Sequence, residues 1–263
     1  MNPRERKDSR PGDSGFTIAP RYCGPPRSGN GGYVSGRLAS FLGSPEGVAE
    51  VTLRSPPPLG VRLEVVEGEG MLALRNRETL VAQAEPSALT GEPPARVTFD
   101  EAVDAAQRYA GRRNHPFPTC FVCGPDRAPG DGLRLEPGSV GESRVAAAWI
   151  PHESLRMAAG LATVAPEFAW AALDCPGGWA TDLAGRPMVL GRMRVRLFGL
   201  PEAGRRYVIV GQLTGLDGRK AFTASALYSA DTPEPDPTEP DAGLLGHAEA
   251  TWLAVDPAAV RPL

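Results

Sequence analysis

The stretch Pro166-Glu167-Phe168-Ala169-Trp170-Ala171-Ala172-Leu173-Asp174-Cys175-Pro176-Gly177-Gly178-Trp179-Ala180 constrains this chain more than any other. Phe168, Ala171, Ala172 and Cys175 recur at helical spacing, and Trp170 and Leu173 widen the apolar face, which predicts a helix buried on most sides. Pro166 suits the first turn, and Pro176 with Gly177 and Gly178 is expected to end or kink the helix. Asp174 lies inside the apolar pattern. A carboxylate is seldom fully buried without a partner, so Asp174 has either a structural bond to make or a reaction to serve.

The rest of the composition narrows what can surround such a helix. At 263 residues and 41% apolar, the chain is long enough for one large domain or two small ones. Its net charge of -3 is spread without a basic stripe, which argues against a nucleic-acid partner. No apolar run approaches the roughly 18 residues needed to span a bilayer, and the start, Met1 to Asp8, lacks a signal-peptide core. A cytoplasmic protein without a membrane partner is expected. The four cysteines, Cys23, Cys120, Cys123 and Cys175, read as reduced thiols rather than a disulfide framework.

Along the chain, residues 1–15 are charged and aperiodic and are expected to form a disordered tail. Pro25 to Gly32 is a polar, glycine-rich loop. Tyr33, Val34, Leu38, Phe41 and Leu42 follow at helical spacing, with Gly43 as the expected cap. Strand-like runs at 48–54, 61–66, 71–75 and 79–84 then predict an antiparallel meander. A Pro-rich linker over 91–118 holds one helix, capped by Thr98 and Glu101, with Phe99, Val103, Ala106 and Ala110 along the expected packing face. Strand patterns resume at 133–135 and 143–149, before the Asp174 helix, and at 188–198, 207–216, 220–229 and 244–255 after it. Residues 231–241 form an acidic, Pro-rich excursion, expected to be a flexible loop.

The order of elements repeats. Each half reads as apolar helix, strand, proline-containing turn and three strands, with the first half at 16–90 and the second at 119–257. Leu80-Val81-Ala82-Gln83-Ala84-Glu85 reads like Leu244-Leu245-Gly246-His247-Ala248-Glu249, and the turn at Pro58 to Val61 corresponds in place to Pro201 through Gly204. Units of this size are duplicated domains and pack about a pseudo-two-fold axis.

A long helix wrapped by an antiparallel meander and duplicated in one chain resembles the double hotdog fold of the acyl-CoA thioesterase superfamily, an α+β class. Asn30-Gly31-Gly32-Tyr33 looks like the Asn-Gly-Gly or His-Gly-Gly helix entry of these enzymes, and Leu173-Asp174-Cys175 with Gly178 looks like the helix position of their catalytic acid. Cys120-Phe121-Val122-Cys123-Gly124 resembles an element of actinobacterial hotdog proteins. The resemblance implies hydrolysis of an acyl-CoA or acyl-carrier thioester, with coenzyme A as part of the substrate and no separate cofactor. It also implies one composite site, because the first helix has the Gly-Gly entry and the second has the acid.

Thioester hydrolysis needs donors for the developing oxyanion and a carboxylate to activate water or to attack. The backbone N–H groups of Gly31, Gly32 and Tyr33 are candidates for the first, since helix-entry donors lack intrahelical partners. Asp174 is the candidate for the second. Asn30 reads equally well as a cap or a substrate contact, and Glu167 as a first-turn acid placed by the helix dipole.

Arg192, Arg194 and Arg196 alternate along one strand face, where they would meet coenzyme A phosphates or only solvent. Cys120 and Cys123 have the spacing of half a zinc site with His115 close by. No second pair follows, so buried thiols in a turn are expected and no metal is assigned. A hydratase on the same fold is disfavoured, because no histidine stands five positions after an aspartate. A non-catalytic acyl-thioester binding or scaffold protein is the alternative. Exposed sheet edges leave room for a homo-oligomer of pseudo-dimeric chains.

Overall fold

The computed structural model of the chain describes residues 14–43, 47–231 and 242–256. Most of the expected tail and the 231–241 loop therefore lie outside the described residues. The first half contributes β1 (Gly15–Thr17), α1 (Gly31–Ala39), β2 (Val48–Leu53), β3 (Arg62–Gly68), β4 (Met71–Asn76) and β5 (Thr79–Pro86). After α2 (Phe99–Ala105), the second contributes β6 (Gly138–Gly141), β7 (Arg144–Trp149), α3 (Pro166–Trp179), β8 (Met188–Leu197), β9 (Tyr207–Asp217), β10 (Lys220–Ser229) and β11 (Leu244–Ala254). The strands form one 11-stranded antiparallel sheet with helices α1 and α3 packed on it, an α+β architecture. No helix among the described residues is long and apolar enough to cross a membrane.

The strand order β1-β3-β4-β5-β2 of the first half recurs as β7-β9-β10-β11-β8 in the second. The halves meet where β2 pairs with β8, with Glu50 opposite Arg194, while β6 is an added edge strand beside β7. The repetition extends to single backbone bonds. Gly29 N–H donates to Pro57 O as Val164 N–H donates to Pro201 O, and Gly60 N–H reaches Ile18 O as Gly204 N–H reaches Pro151 O. Gly60 and Gly204 both take positive φ, 72° and 83°, which explains glycine at each turn.

Every residue of α3 from Phe168 to Trp179 is buried, as its apolar period predicts. The helix nevertheless runs through Pro176, which was expected to end or kink it. Packing overrides propensity here: a Cβ on Gly177 would lie 2.8 Å from Thr223 Oγ1, one on Gly178 2.7 Å from Trp252, and one on Gly211 2.2 Å from Pro176 O. The glycines let this end of the helix lie directly on the sheet, and the helix is held by contacts that local rules do not contain. Helix α1 ends at Ala39 instead of reaching Gly43, because the Ser40 hydroxyl donates to Arg37 O at 2.8 Å and takes a carbonyl near the helix end.

Helix α2 starts where expected, with the Thr98 and Glu101 capping box formed. Its packing face differs from the expected one. Ala102 and Ala105 are buried and Val103 is exposed, because α2 lies close on β6, where a Cβ on Gly138 would meet Ala105 O at 1.6 Å. At that separation only the small side chains fit. Residues 133–135 pair with the Cys-rich turn and not with the sheet: Leu133 and Leu135 donate to Phe121 O and Val122 O.

Two features fix the frame around the site. Helix α1 crosses α3 at glycine contact distance, since a Cβ on Gly32 would lie 2.5 Å from Asp174 Cβ and one on Gly36 2.7 Å from Glu167 Cα. On the outer sheet face, the linker after β5 is tied down by Glu249, which accepts from Thr90 N–H and Gly91 N–H. Burial pushes the Glu249 carboxyl up, but these N–H groups, the Thr90 hydroxyl and Arg194 outweigh it and hold the group below the usual glutamate range. A depressed carboxyl contributes stability above its unfolded value and loses it as pH falls through the folded one. Glu249→Gln should therefore be less stable than wild type by about 1 to 2 kcal/mol at pH 7. In urea unfolding at a series of pH values, that gap should close below the ordinary glutamate range. Gly32→Ala should cost about 1 to 3 kcal/mol in the same assay, whereas Gly43→Ala, with nothing within 4 Å of the added carbon, should stay within about 0.5 kcal/mol.

Candidate functional site

Asn30 sits in extended conformation before α1 and accepts from Tyr33 N–H at 2.9 Å through Oδ1, which makes it the N-cap. Its amide nitrogen then points across the helix crossing and donates to Asp174 Oδ2 at 3.0 Å. Gly32 N–H donates to the same oxygen at 2.9 Å. The carboxylate of the second half thus stands on the positive N-terminal end of the first half's helix, 142 residues away in sequence from one of its donors. Asp174 Oδ1 is buried and has no hydrogen-bond partner among the described residues. Burial raises the Asp174 carboxyl, opposed by Gly32 N–H and the Asn30 amide and reinforced by Cys120, so that it is pushed up to about 7.

This pair opens on a cavity of about 470 Å³ between the halves. The loop before α1 supplies Arg27, Asn30 and Gly31, β2 and its following turn supply Leu53 and Arg54, and α3 supplies Asp174 and Cys175. Met188, Leu190 and Trp252 make an apolar wall, and His115, Phe117, Cys120 and Cys123 close the opposite side. Gly31 is glycine because a side chain there would meet Leu190 at 2.8 Å. Its N–H is a first-turn donor with no acceptor inside the helix.

The Cys120 to Cys123 turn is held by backbone bonds from Cys120 N–H to Phe117 O and from Gly124 N–H to Cys120 O. Gly124 is required there, since a Cβ would meet Pro118 O at 2.4 Å. Phe121 anchors the turn by inserting among Tyr22, Tyr33 and Phe168, with ring centroids 5.0, 6.2 and 5.8 Å away. Aromatic pairs of this kind contribute about 0.5 to 1.5 kcal/mol each beyond their buried area. The turn brings Cys120 Sγ to 3.8 Å from Cys175 Sγ, and the sulfurs of Cys120, Cys123 and Cys175 all lie within 4.8 Å of one another. Thiol hydrogen bonds from Cys123 and Cys175 hold Cys120 below the ordinary thiol range, while Cys175 is raised by the same two neighbours.

Asn30, Gly31, Gly32 and Asp174 thus meet at one point, as the composite arrangement requires. Two expected roles change. Gly32 N–H is taken by Asp174 and Tyr33 N–H by Asn30, so the helix-entry donor left to the cavity is Gly31 N–H. The Tyr33 ring lies outside the cavity, stacked at 4.2 Å on Tyr22. Arg192 and Arg194 do not line it either. Glu50 pairs with both, and Arg194 also reaches Glu249, so the expected phosphate stripe is an ion-pair row on the outer face. The cationic groups at the cavity are Arg27 and Arg54, both exposed. Arg27 lay in the glycine-rich loop, where loop composition marked mobility and not binding.

The second helix entry has no such site. Its N-cap is Ala165, without a side-chain bond, and the position in α1 that corresponds to Asp174, counted from the two caps, is Ala39. Cys175, His115 and the Cys turn converge from distant segments, and only the CxxC spacing signalled this in advance.

No family model matches this sequence, and no curated protein matches it. Solved structures do. A protein designated a thioesterase from Novosphingobium aromaticivorans superposes with a TM-score of 0.57 over 92% of this chain and 95% of its own, at 13% identity. The TesB protein of Mycobacterium avium subspecies paratuberculosis gives 0.53 over 87% and 88%, at 12% identity. A protein designated thioesterase II from Thermobifida fusca gives 0.51 over 92% of each, at 13% identity. The chain therefore has the fold of these thioesterases.

Proposed function

We propose that this chain is a double hotdog acyl-thioester hydrolase whose halves, 16–90 and 119–257, joined by 91–118, build one working site at the α1 entry. The observation that carries the reading is the Asp174 carboxylate, fixed through Oδ2 by Gly32 N–H and Asn30 while Oδ1 is left free within a cavity. Oδ1 is the oxygen that takes a proton from an attacking water, and holding Oδ2 aims it without consuming it. Gly31 N–H and the α1 dipole stabilise the oxyanion that forms on the thioester carbonyl.

The acyl group occupies the apolar wall of Met188, Leu190 and Trp252. Arg27 and Arg54 meet the phosphates of coenzyme A or of an acyl carrier. The opposite entry, Ala165 with Ala39, is the degenerate partner. The pseudo-dimeric chain needs no second subunit to complete this site.

Release of free coenzyme A from short, long and aromatic acyl-CoA thioesters, measured for wild type beside Asp174→Asn, tests the reading. Asparagine keeps an acceptor for Gly32 N–H and removes the base. Turnover should fall at least about a hundredfold, in line with the loss of a general base, with thermal unfolding preserved. Absence of turnover in the wild type on every ester, with coenzyme A esters still bound, would instead make the chain a binding protein and Asp174 a helix-crossing cap.

A further inference from the structure

We infer that Cys120, Cys123 and Cys175 form a three-thiolate site for a single thiophilic divalent cation, with Zn2+ the chemical type, whose fourth position opens on the cavity beside Asp174. The inference does not depend on the thioesterase reading.

Three geometric facts carry it. Tetrahedral Zn2+ bound to sulfur at about 2.3 Å sets its sulfurs about 3.8 Å apart. Cys120 and Cys175 already stand at 3.8 Å, and Cys123 completes the triangle with all three sulfurs within 4.8 Å. A disulfide needs sulfurs near 2.05 Å, and all three cysteines are free and buried. The sequence pair Cys120 and Cys123 lacked ligands from elsewhere, and α3 delivers the third across 55 residues.

The surroundings fit an ion and not merely packed thiols. Asp174 Oδ1 is fully buried, lacks a partner among the described residues and belongs to the residue next to Cys175. Such an orphaned oxygen is a cost unless something positive or protic meets it. His115 is not the fourth ligand. Its Nδ1 accepts from Phe117 N–H at 2.9 Å, so Nε2 carries the proton and acts as a donor in the cavity wall. That leaves the cavity side, where Asp174 Oδ1 or a water on it takes the fourth place, the open arrangement of three protein ligands and one exchangeable one.

Cys23 is the built-in contrast. Although buried nearby, its Sγ donates to Thr119 O at 3.2 Å and accepts from Arg127 at 3.1 Å, so it stands outside the cluster.

The test needs no turnover. Full-length protein, purified under reductant and dialysed against chelator, is titrated with Zn2+ and separately with Co2+. One equivalent should bind, protons should be released on binding, and the Co2+ form should show a thiolate-to-metal charge-transfer band with the d–d absorption of a four-coordinate site. Cys120→Ser, Cys123→Ser and Cys175→Ser should each lower Zn2+ affinity by about a hundredfold or more, while Cys23→Ser leaves it unchanged. Failure of the fully reduced wild type to take up either metal overturns the inference. So does a Co2+ spectrum without thiolate bands, or equal loss in Cys23→Ser. Because the wild-type cobalt spectrum reads the ligands directly, the outcome stands even where a serine variant does not fold.

Discussion

The close crossing of α1 over α3 is the constraint on which the rest depends. Gly32 and Gly36 remove the side chains that would keep the helices apart, and Asp174 then reaches a helix N-terminus that belongs to the other half. The contact is favourable in two ways at once: the carboxylate satisfies Gly32 N–H, and it stands in the positive end of the dipole. It also carries a penalty, visible in the raised Asp174 carboxyl, because two donors do not replace the water that burial removes. A group that is costly to ionise and half satisfied is poor scaffolding. It makes sense where the unsatisfied oxygen has something to do.

Duplication explains how such a contact arises and why it exists once. Two halves with the same strand order join at β2 and β8, which sets both helices on the same sheet and places each entry against the opposite helix. Symmetry alone would give two equivalent sites. Asn30 against Ala165 at the caps and Asp174 against Ala39 on the helices break it, while backbone bonds such as Gly29 to Pro57 and Val164 to Pro201 remain matched. The shared backbone keeps the frame. The side chains then divided the work between the halves.

How much of this was legible in the chain follows from the range of each interaction. The helix around Asp174, the Asn30 entry, the capping box at Thr98 and most strands depend on periodicity and near neighbours, and these read correctly. What failed was decided at distance. Arg194 looked like a phosphate contact because its partner Glu50 lies 144 residues away, and the face of α2 was misassigned because close approach to β6 selects alanine over valine. Pro176 was expected to end α3, yet Gly177 and Gly178 pack it so closely on β9, β10 and β11 that the helix holds. Cys175 read as an apolar helix residue. Only the Phe121 anchor, which packs the Cys turn between the helices, turns it into the third member of a cluster.

The cavity's polarity ties these parts together. Its interior gathers groups that prefer to be neutral or to meet a cation: one carboxyl with a free oxygen and three thiols, in a volume walled by Met188, Leu190 and Trp252. Its cations, Arg27 and Arg54, are exposed, and the ion-paired Arg192 and Arg194 take no part. A ligand with an anionic end and an apolar end can satisfy this arrangement in only one direction, with the anion toward the arginines and the apolar portion inside. In that direction the junction between the two ends falls near Gly31 N–H and Asp174 Oδ1. Orientation is thus imposed by desolvation and charge before any specific contact forms, which is the cheapest way to bring a reacting bond to a buried acid.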